Sequence, residues 1–186
     1  MIEVPLAKSY RLLNHGPTTL VTSAHAGRAN VMAAQWVMPI DFDPPIVAVV
    51  IDRKTFTRTL VEQSRTLALN VPTRAQIDLT ETVGNTSGAD VDKLAALPIA
   101  TTKATTIDAP LIAGCAAWLE CRCLDQRALE AAHDLFLVEV VAAFADEASW
   151  RNNRWDFPDD DHRTLHHYGA GVFALTGETV RGKRVL

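Results

Sequence analysis

Residues 18–38 have the sequence TTLVTSAHAGRANVMAAQWVM, which predicts a β-hairpin. The first arm, Thr18 to His25, is rich in threonine and valine, and these residues favour strands. The turn is expected at Ala26-Gly27-Arg28, because glycine has no Cβ and can adopt a positive φ. Asn30 to Met38 is predicted as the return strand, so the fold is expected to begin with antiparallel pairing.

Strands also dominate the chain beyond this hairpin. Pro44 and Pro45 break the chain, since proline cannot donate to a strand ladder. Ile46 to Ile51 is an apolar run too short for a helix and typical of a strand buried on both faces. Long helices do not alternate with strands, so we predict a mainly β fold with short helices, an antiparallel barrel with the helices packed outside. Further strands are predicted at Leu67 to Val71, Ala113 to Leu124, Leu135 to Phe144 and Val172 to Thr176.

Short helices are predicted between the strands. The first runs to Ser64 with Thr57 as its N-cap. The second starts at Thr73, which has capping-box spacing to Gln76. The remaining signals are a turn at Gly84 to Gly88 and an N-cap for a third helix at Asp90.

Composition limits the classes of protein that the chain can belong to. The 186 residues, 48% hydrophobic and 22% charged, suit one domain over residues 1–186. A net charge of −4 disfavours nucleic acid and anionic membranes as partners. Met1 to Tyr10 has no apolar signal core, and three cysteines are too few for a disulfide framework, so we expect a cytoplasmic location. Residues from about 146 to 186 are interpreted as a C-terminal extension, with Ala145 to His167 as an exposed excursion.

Arg53-Lys54-Thr55-Phe56-Thr57 is a candidate anion site. Two cations and two hydroxyls precede a predicted helix, whose first N–H groups lack partners within the helix. Such a helix N-terminus attracts a phosphate group. An ordinary capped helix with solvated cations stays open as the alternative.

Several motifs of other enzyme classes are missing from the sequence. It contains no Gly-x-Ser-x-Gly elbow, no P-loop and no Gly-x-Gly-x-x-Gly after a strand. Cys115, Cys121 and Cys123 lack metal-site spacing, and we expect them as small buried residues on one face of a strand.

A histidine cluster near the C-terminus offers a second kind of chemistry. His162 and His166 are four residues apart and would share a helix face, with His167 beside them. Together with the neighbouring aspartates they could hold a divalent metal, but a run of like charges is more typical of a solvated loop. We therefore predict no metal site and keep a metal-dependent protein as an alternative.

Trp36 and His133 each have a structural and a functional interpretation. Trp36 is either a core or interface residue or a stacking surface for a planar ligand. His133 precedes a long strand and is either structural or a reactive group beside a ligand.

Taken together, these segments resemble the flavin reductase-like family with the FMN-binding split barrel, and within it the flavoredoxin-like members. The resemblance covers most of residues 12–176, and its motifs follow the family's order and spacing. It rests on HGPTTLVTS from His15, GRANVMAAQW from Gly27, Asp43-Pro44-Pro45, Thr57, NVPT from Asn70, GNTSGADVDK from Gly84 and HDLFLVEV from His133.

The resemblance implies an FMN in each subunit of a homodimer, near the dimer interface, with NADH or NADPH as possible reductant. It implies that the loop from Asn85 to Lys93, of the same or the partner subunit, closes over the pocket and that His133 lies near the flavin or nicotinamide. Arg11 and Arg28 are cationic side chains that we consider as partners of a dinucleotide phosphate. The cofactor-binding residues that the resemblance implies are Ala33, Ala34, Gln35, Trp36, Arg53, Lys54, Thr55, Thr57, Asn70, Val71, Ser87 and Lys93.

The chain also departs from the family pattern. Ala33 and Gln35 stand where family members often carry Thr and Ser, and Val138 replaces a glycine after the histidine. The resemblance implies an FMN-dependent NAD(P)H:flavin oxidoreductase or a flavoredoxin-like electron carrier. The carrier would exchange electrons with a redox protein as its partner. The substitutions motivate an alternative, a non-catalytic barrel that binds flavin or another planar ligand.

Overall fold

A computed structural model describes residues 1–13 and 15–185. Its strands are β1 (Ile2–Glu3), β2 (Thr19–His25), β3 (Arg28–Ala34), β4 (Val37–Pro39), β5 (Ile46–Val50), β6 (Thr66–Val71), β7 (Thr101–Thr102), β8 (Leu111–Ile112), β9 (Ala117–Cys123), β10 (Leu135–Ala145), β11 (Trp150–Arg151), β12 (Arg154–Trp155), β13 (Leu165–Gly169) and β14 (Val172–Leu175). Its helices are α1 (Phe56–Ser64), α2 (Ile77–Asn85), α3 (Lys93–Ala96) and α4 (Arg127–His133), with 3₁₀ helices at Leu6–Leu12, Arg74–Gln76 and Asp160–His162.

The main sheet is antiparallel and curls into a split barrel. Its strand order is β3-β2-β6-β9-β10-β5-β4, and β1 pairs with the end of β10. β3 and β4 therefore lie at opposite ends of the order, yet only Gln35 and Trp36 separate them in the chain. The three Cα–Cα steps from Ala34 to Val37 span at most about 11 Å, so the two edges of the sheet must come close together. This closure confirms the predicted barrel.

Apolar side chains are buried on both faces of the sheet. Leu67 and Leu69 of β6 belong to one core cluster together with Phe136, whereas the intervening Ala68 packs in a second cluster with Trp118. This alternation is the period of two that a strand imposes. The strand at Ile46 is buried as expected, and Val49 is fully enclosed.

The long return strand predicted over Asn30 to Met38 is wrong in one respect. β3 ends at Ala34, and β4 pairs with β5 instead of β2. The interruption at Gln35 and Trp36 lets the chain cross from one edge of the barrel to the other.

Helix boundaries also differ from the sequence prediction. Thr55, not Thr57, caps α1, and its hydroxyl accepts a hydrogen bond from the N–H of Arg58. The capping box between Thr73 and Gln76 is confirmed. The other corrections concern Gly84 and Asn85, which belong to α2 instead of a turn, and Asp92, which caps α3 in place of Asp90.

The segment after β10 is an exposed excursion only in part, because residues 158–161 are exposed while other side chains of the segment are buried. Trp150 belongs to the main core cluster, and Ser149, Thr164 and Leu165 are buried. The three cysteines do not share one strand face as predicted. Cys115 precedes β9 and packs in the second core cluster, whereas Cys121 lies in the first. Across residues 1–13 and 15–185, helices of the length and apolar character needed to cross a membrane are lacking.

Candidate functional site

A cleft runs along β3 between α2 and the N-terminus of α1. It consists of two adjoining cavities of about 220 and 200 Å³, which share Ala33, Gly84 and Asn85 as lining residues. The larger cavity reaches the first turn of α1, and the smaller reaches the hairpin β13–β14. We call these parts the helix end and the hairpin end of the cleft.

The helix end is equipped to hold an anion. Lys54, Thr55 and Thr57 line it, together with the first turn of α1. Thr55 satisfies the N–H of Arg58, which leaves the N–H groups of the two preceding residues without a partner inside the helix. The helix dipole and the exposed Lys54 ammonium add positive potential at the same place.

Asn30 fixes the geometry of this end. Its buried amide donates to the Thr57 hydroxyl at 2.8 Å. That bond occupies one lone pair of the hydroxyl, whose proton is still available to a ligand oxygen. A Cβ added at Gly88 would lie 2.3 Å from Asn30 Oδ1, so only glycine allows the loop after α2 to approach. Asn30 therefore holds both α1 and the loop around the cavity.

The middle of the cleft is kept shallow by small side chains. A Cβ at Gly84 would lie 3.2 Å from the Cβ of Ala33, so α2 packs directly on β3. Threonine or serine at position 33 would place a further heavy atom in this contact. The alanine that departs from the family pattern thus matches the close approach of Gly84.

Lys93 lines the helix end but is committed to the backbone. Its ammonium donates to the carbonyls of Val83 and Thr86, both at 2.9 Å, and so caps the C-terminal end of α2. Burial lowers the pKa of Lys93 to about 8, because desolvation disfavours the charged form. The side chain holds α2 against the loop that contains Ser87, which also lines this cavity.

Gln35 organises the hairpin end. Its Oε1 accepts hydrogen bonds from the Thr18 hydroxyl at 2.8 Å and from the N–H of His167 at 3.3 Å. β13 is thereby attached to the end of β3, and His167 and Phe173 line the cavity with their rings 4.9 Å apart. Glu81 supplies a carboxylate to this end, which contrasts with the cationic helix end.

Eight of the residues implied by the resemblance line the cleft. They are Ala33, Ala34, Gln35, Lys54, Thr55, Thr57, Ser87 and Lys93.

The other implied residues lie outside the cleft lining. The Arg53 guanidinium pairs with Asp134 at 3.0 Å and donates to the carbonyl of Ala131. His133 is exposed at the end of α4, next to that ion pair. Asp134 adopts the left-handed conformation, with φ 56°, and ends α4 beside the loop before α1. This position explains why Arg53 and His133 lie next to each other.

The structure also places Asn70, Val71 and Trp36 away from the cleft. Asn70 is fully buried, and its side chain donates to the Leu20 carbonyl and accepts from the N–H of Ile112. Val71 belongs to the main core cluster. Trp36 is 74% exposed, which excludes the core alternative for it within this chain.

Sequence reasoning missed several cleft residues. Asn30 carried a signal, since a polar residue at an inward position of a hairpin strand requires a partner. His167 and Phe173 had none, because their place depends on how the distant hairpin β13–β14 packs. The helix-face pairing of His162 and His166 is wrong: His162 ends a 3₁₀ helix and bonds Asp159, while His166 and His167 are successive residues of β13. Within the described ranges, clusters of at least three His, Cys, Asp or Glu arranged to hold a metal are not found.

The donor set fits a flat molecule with a phosphate at one end. The helix end supplies cations, hydroxyls and N–H groups, while the middle is a narrow slot over Ala33 and Gly84. A side chain at position 88 would collide with Asn30, so glycine lets the loop after α2 approach this end of the cleft. The cleft opens beside the junction of β3 and β4, where the barrel is split.

This architecture defines a split-barrel protein, and comparison with known proteins identifies its family. Residues 11–172 match the family model of the flavin reductase like domain, so the chain belongs to the flavin reductase-like family. The uncharacterized protein YddH of Escherichia coli (strain K12) is 41% identical over 182 residues, with 96% of both chains covered.

Two solved structures extend the comparison. The FMN-binding domain of a flavin reductases-like enzyme from Shewanella baltica OS155 is 40% identical, with 98% of this chain and 97% of that chain covered and a TM-score of 0.95. Flavoredoxin of Desulfovibrio vulgaris (Miyazaki F) is 24% identical over 90% of each chain, with a TM-score of 0.78, and supports the fold alone. The expected family and the FMN-binding split-barrel fold are thus confirmed.

Proposed function

We propose that this chain binds FMN in the cleft and acts as an FMN-dependent oxidoreductase. The observation that carries the proposal is the helix end of the cleft, where Lys54, the Thr57 hydroxyl and the N-terminus of α1 converge. This set suits a phosphate monoester. The similar structure from Shewanella baltica, at 40% identity, is described as an FMN-binding domain and supports the same cofactor.

The cleft residues would each serve a stated part of FMN. Lys54, Thr55 and Thr57 hold the phosphate, and Ser87 and Lys93 support the loop that encloses it. Ala33 and Ala34 leave room for the flat ring system beside β3, and Gln35 fixes the hairpin wall next to it. FMN supplies the hydride and electron-transfer chemistry when bound, so the chain needs no strong acid or base of its own.

NADH or NADPH is the proposed reductant, and either free flavin or a redox protein the acceptor. A reductase must stack a nicotinamide against the flavin, whereas a flavoredoxin-like carrier accepts electrons from a protein. The hairpin end, lined by Phe173 and the His167 ring, is the part of the cleft that we assign to a second planar molecule, because its two rings offer stacking contacts. His133 keeps its implied role as a hypothesis, which a His133→Asn variant tests: loss of NAD(P)H oxidation with FMN retained would support it.

We further propose that two copies of the chain form a homodimer through an apolar stripe. Trp36, Met38, Ile40 and Phe42 are at alternate positions, and their exposed fractions are 74, 59, 46 and 61%. Side chains two apart on extended chain share a face, so Trp36, Met38 and Ile40 are expected on one exposed apolar face along β4. Phe42 adds a fourth exposed apolar side chain from the bend that follows. The stripe begins at Trp36, immediately after the hairpin end of the cleft, and a second copy would enclose that end. Three free cysteines agree with the proposed cytoplasmic location.

The absorption spectrum of untagged protein tests the function. It is recorded before and after anaerobic addition of NADH and then NADPH. Flavin bands that bleach would support the oxidoreductase. Bands that persist with both nucleotides but bleach with a reduced ferredoxin would favour the carrier, and bands that no donor bleaches would favour the non-catalytic binding barrel. A colourless protein that takes up no added FMN would overturn the proposal.

A further inference from the structure

A second cavity lies between the N-terminal 3₁₀ helix and the hairpin β11–β12. Its volume is about 290 Å³, and it shares no lining residue with the flavin cleft. The lining combines two guanidinium groups with three aromatic rings and an amide, and it contains no carboxylate. The residues are Tyr10, Arg11, Trp150, Asn153, Arg154 and Trp155.

The two guanidinium groups are not neutralised. Among the described residues, neither Arg11 nor Arg154 forms an ion pair with a carboxylate, whereas Arg151 in the same hairpin pairs with Asp156 at 3.7 Å. Arg11 donates through Nε to the Tyr10 hydroxyl at 3.1 Å and through Nη1 to the Asn153 carbonyl at 3.2 Å. Its second terminal nitrogen keeps two N–H donors for a ligand.

The charge of Arg11 acts on the cavity wall itself. The hydrogen bond from Arg11 holds the pKa of Tyr10 below its ordinary value, and the positive charges of Arg11 and Lys8 act in the same direction. The site thus stabilises negative charge at the position of a phenol oxygen. An anionic ligand placed beside Tyr10 would meet the same field.

The aromatic walls are held in place before any ligand arrives. The Trp155 indole N–H donates to the Arg11 carbonyl at 3.1 Å, and the ring meets Trp150 edge-on at 5.0 Å. Phe157 stacks on Trp155 at 5.3 Å. Tyr10 meets Phe42 edge-on at 4.6 Å. A preorganised wall lowers the entropic cost of binding a flat molecule.

The tight turn of the hairpin β11–β12 restricts the backbone immediately before Arg154. Asn152 and Asn153 both have positive φ, at 51° and 56°, as the tight turns of two-residue hairpins require. Asn153 therefore points its carbonyl at Arg11 while Arg154 follows directly on the return strand.

We propose that this cavity binds a small aromatic carboxylate. A guanidinium fork matches a carboxylate through two parallel hydrogen bonds, and the aromatic side chains of the lining offer apolar contacts to a ring. The volume of about 290 Å³ is sufficient for one ring with its acid group. Binding here is independent of FMN, since the two sites have no residue in common.

Titration of benzoate by calorimetry tests the proposal, with uncharged benzamide as the matched ligand. Benzoate is expected to bind saturably with a dissociation constant in the range of about 0.1–1 mM, and benzamide at least about tenfold more weakly. The expected affinity is the same for FMN-loaded and flavin-free protein. Competition between benzoate and FMN would place benzoate in the flavin cleft and overturn the proposal.

Variants locate the site. Arg154→Gln is expected to weaken benzoate binding at least about tenfold, and Arg11→Gln together with Arg154→Gln to abolish it. Arg151→Gln removes one positive charge from the same hairpin and is expected to bind benzoate with the affinity of the parent protein. Arg154 is exposed, so its variant is expected to fold even if the double variant does not. Equal benzoate affinity in Arg154→Gln and Arg151→Gln, or no binding at about 10 mM benzoate, would overturn the assignment.

Discussion

The side-chain amide of Asn30 donates to the hydroxyl of Thr57 at 2.8 Å, and both residues are buried. This bond joins the return strand of the first hairpin to the first turn of α1. It orients a hydroxyl that lines the helix end of the cleft. The proposed phosphate site therefore depends on a residue that does not itself carry charge.

Replacement of Asn30 by alanine tests this dependence. We expect FMN affinity to fall about tenfold, because the Thr57 hydroxyl loses its orienting partner, and the free energy of unfolding to fall by about 1–2 kcal/mol. Flavin fluorescence titration and urea unfolding of flavin-free protein measure the two effects. Ser23→Ala is the control, since Ser23 is also buried and hydrogen-bonded to the Thr66 carbonyl but lies outside the cleft. A similar loss of FMN affinity in both variants would reduce Asn30 to a stability residue.

Removal of the side-chain donors of Lys54 and Thr57 tests whether the helix end of the cleft binds the FMN phosphate. The Lys54→Ala, Thr57→Ala protein is expected to bind FMN at least about 30-fold more weakly, since two hydrogen bonds to an ionised phosphate are lost, one of them from a charged donor. Riboflavin, which lacks the phosphate, should be affected little. Lys103→Ala removes an exposed charge from another cavity and serves as control. Unchanged FMN affinity in the double variant would contradict the assignment.

Gly88→Ala is expected to disrupt the cleft more than any exposed glycine substitution. Its Cβ would lie 2.3 Å from Asn30 Oδ1, so the loop after α2 or the Asn30 side chain must move. We expect FMN retention on gel filtration to be lost. Gly177→Ala is the control, because its Cβ would have no neighbour within 4 Å. Full FMN retention by Gly88→Ala would show that the loop does not define the site.

Acid is expected to weaken the attachment of β13 through His15. Its Nε2 lies 2.9 Å from the Thr164 hydroxyl, and Nδ1 is buried with no hydrogen-bond partner among the described residues. Burial, and then the charge of His166, lowers the pKa of His15 to about 4. The unfolded chain takes up a proton near pH 6.5 and the folded chain does not, so stability falls as the pH drops from about 6.5 to about 4, by about 2–3 kcal/mol.

Urea unfolding at pH 7 and pH 4.5 measures this effect. The difference between the two pH values should shrink in His15→Asn. It should stay unchanged in His25→Asn, because His25 is exposed. An equal pH effect in His15→Asn and the parent would assign the acid sensitivity to other groups.

The apolar stripe makes a prediction about assembly. Met38→Asp together with Ile40→Asp is expected to yield a monomer in sedimentation velocity at micromolar concentration, because charge on both residues opposes burial of the stripe. Both side chains are exposed in the single chain, so the monomer should stay folded. Tyr168→Asp, on another exposed aromatic residue, should leave assembly unchanged. A parent protein that is monomeric at this concentration would contradict the proposed homodimer.

The fold was predictable because its signals are local. Glycine at the Gly27 turn, the apolar run at Ile46 and the capping box of Thr73 and Gln76 each depend on neighbours within a few residues. The grouping of Lys54, Thr55 and Thr57 at the start of α1 was predictable for the same reason, because these residues are close together in the chain, and its role as an anion site stays a prediction. Trp36 and Arg53 were harder, because what surrounds them is set by distant elements: Asp134 neutralises Arg53, and the crossing between sheet edges exposes Trp36.

The sequence by itself determined the strand-rich barrel, the first hairpin and the start of α1, because hydrophobic period, turn residues and capping act between near neighbours. Only the tertiary structure decided which polar groups meet in the cleft. Asn30 reaches Thr57, Lys93 caps α2, and Gln35 attaches β13, all through pairings between segments far apart in the chain or across a loop. Such pairings follow from the closure of the sheet edges at Gln35 and Trp36, which brings together groups whose separation in sequence carries no local signal.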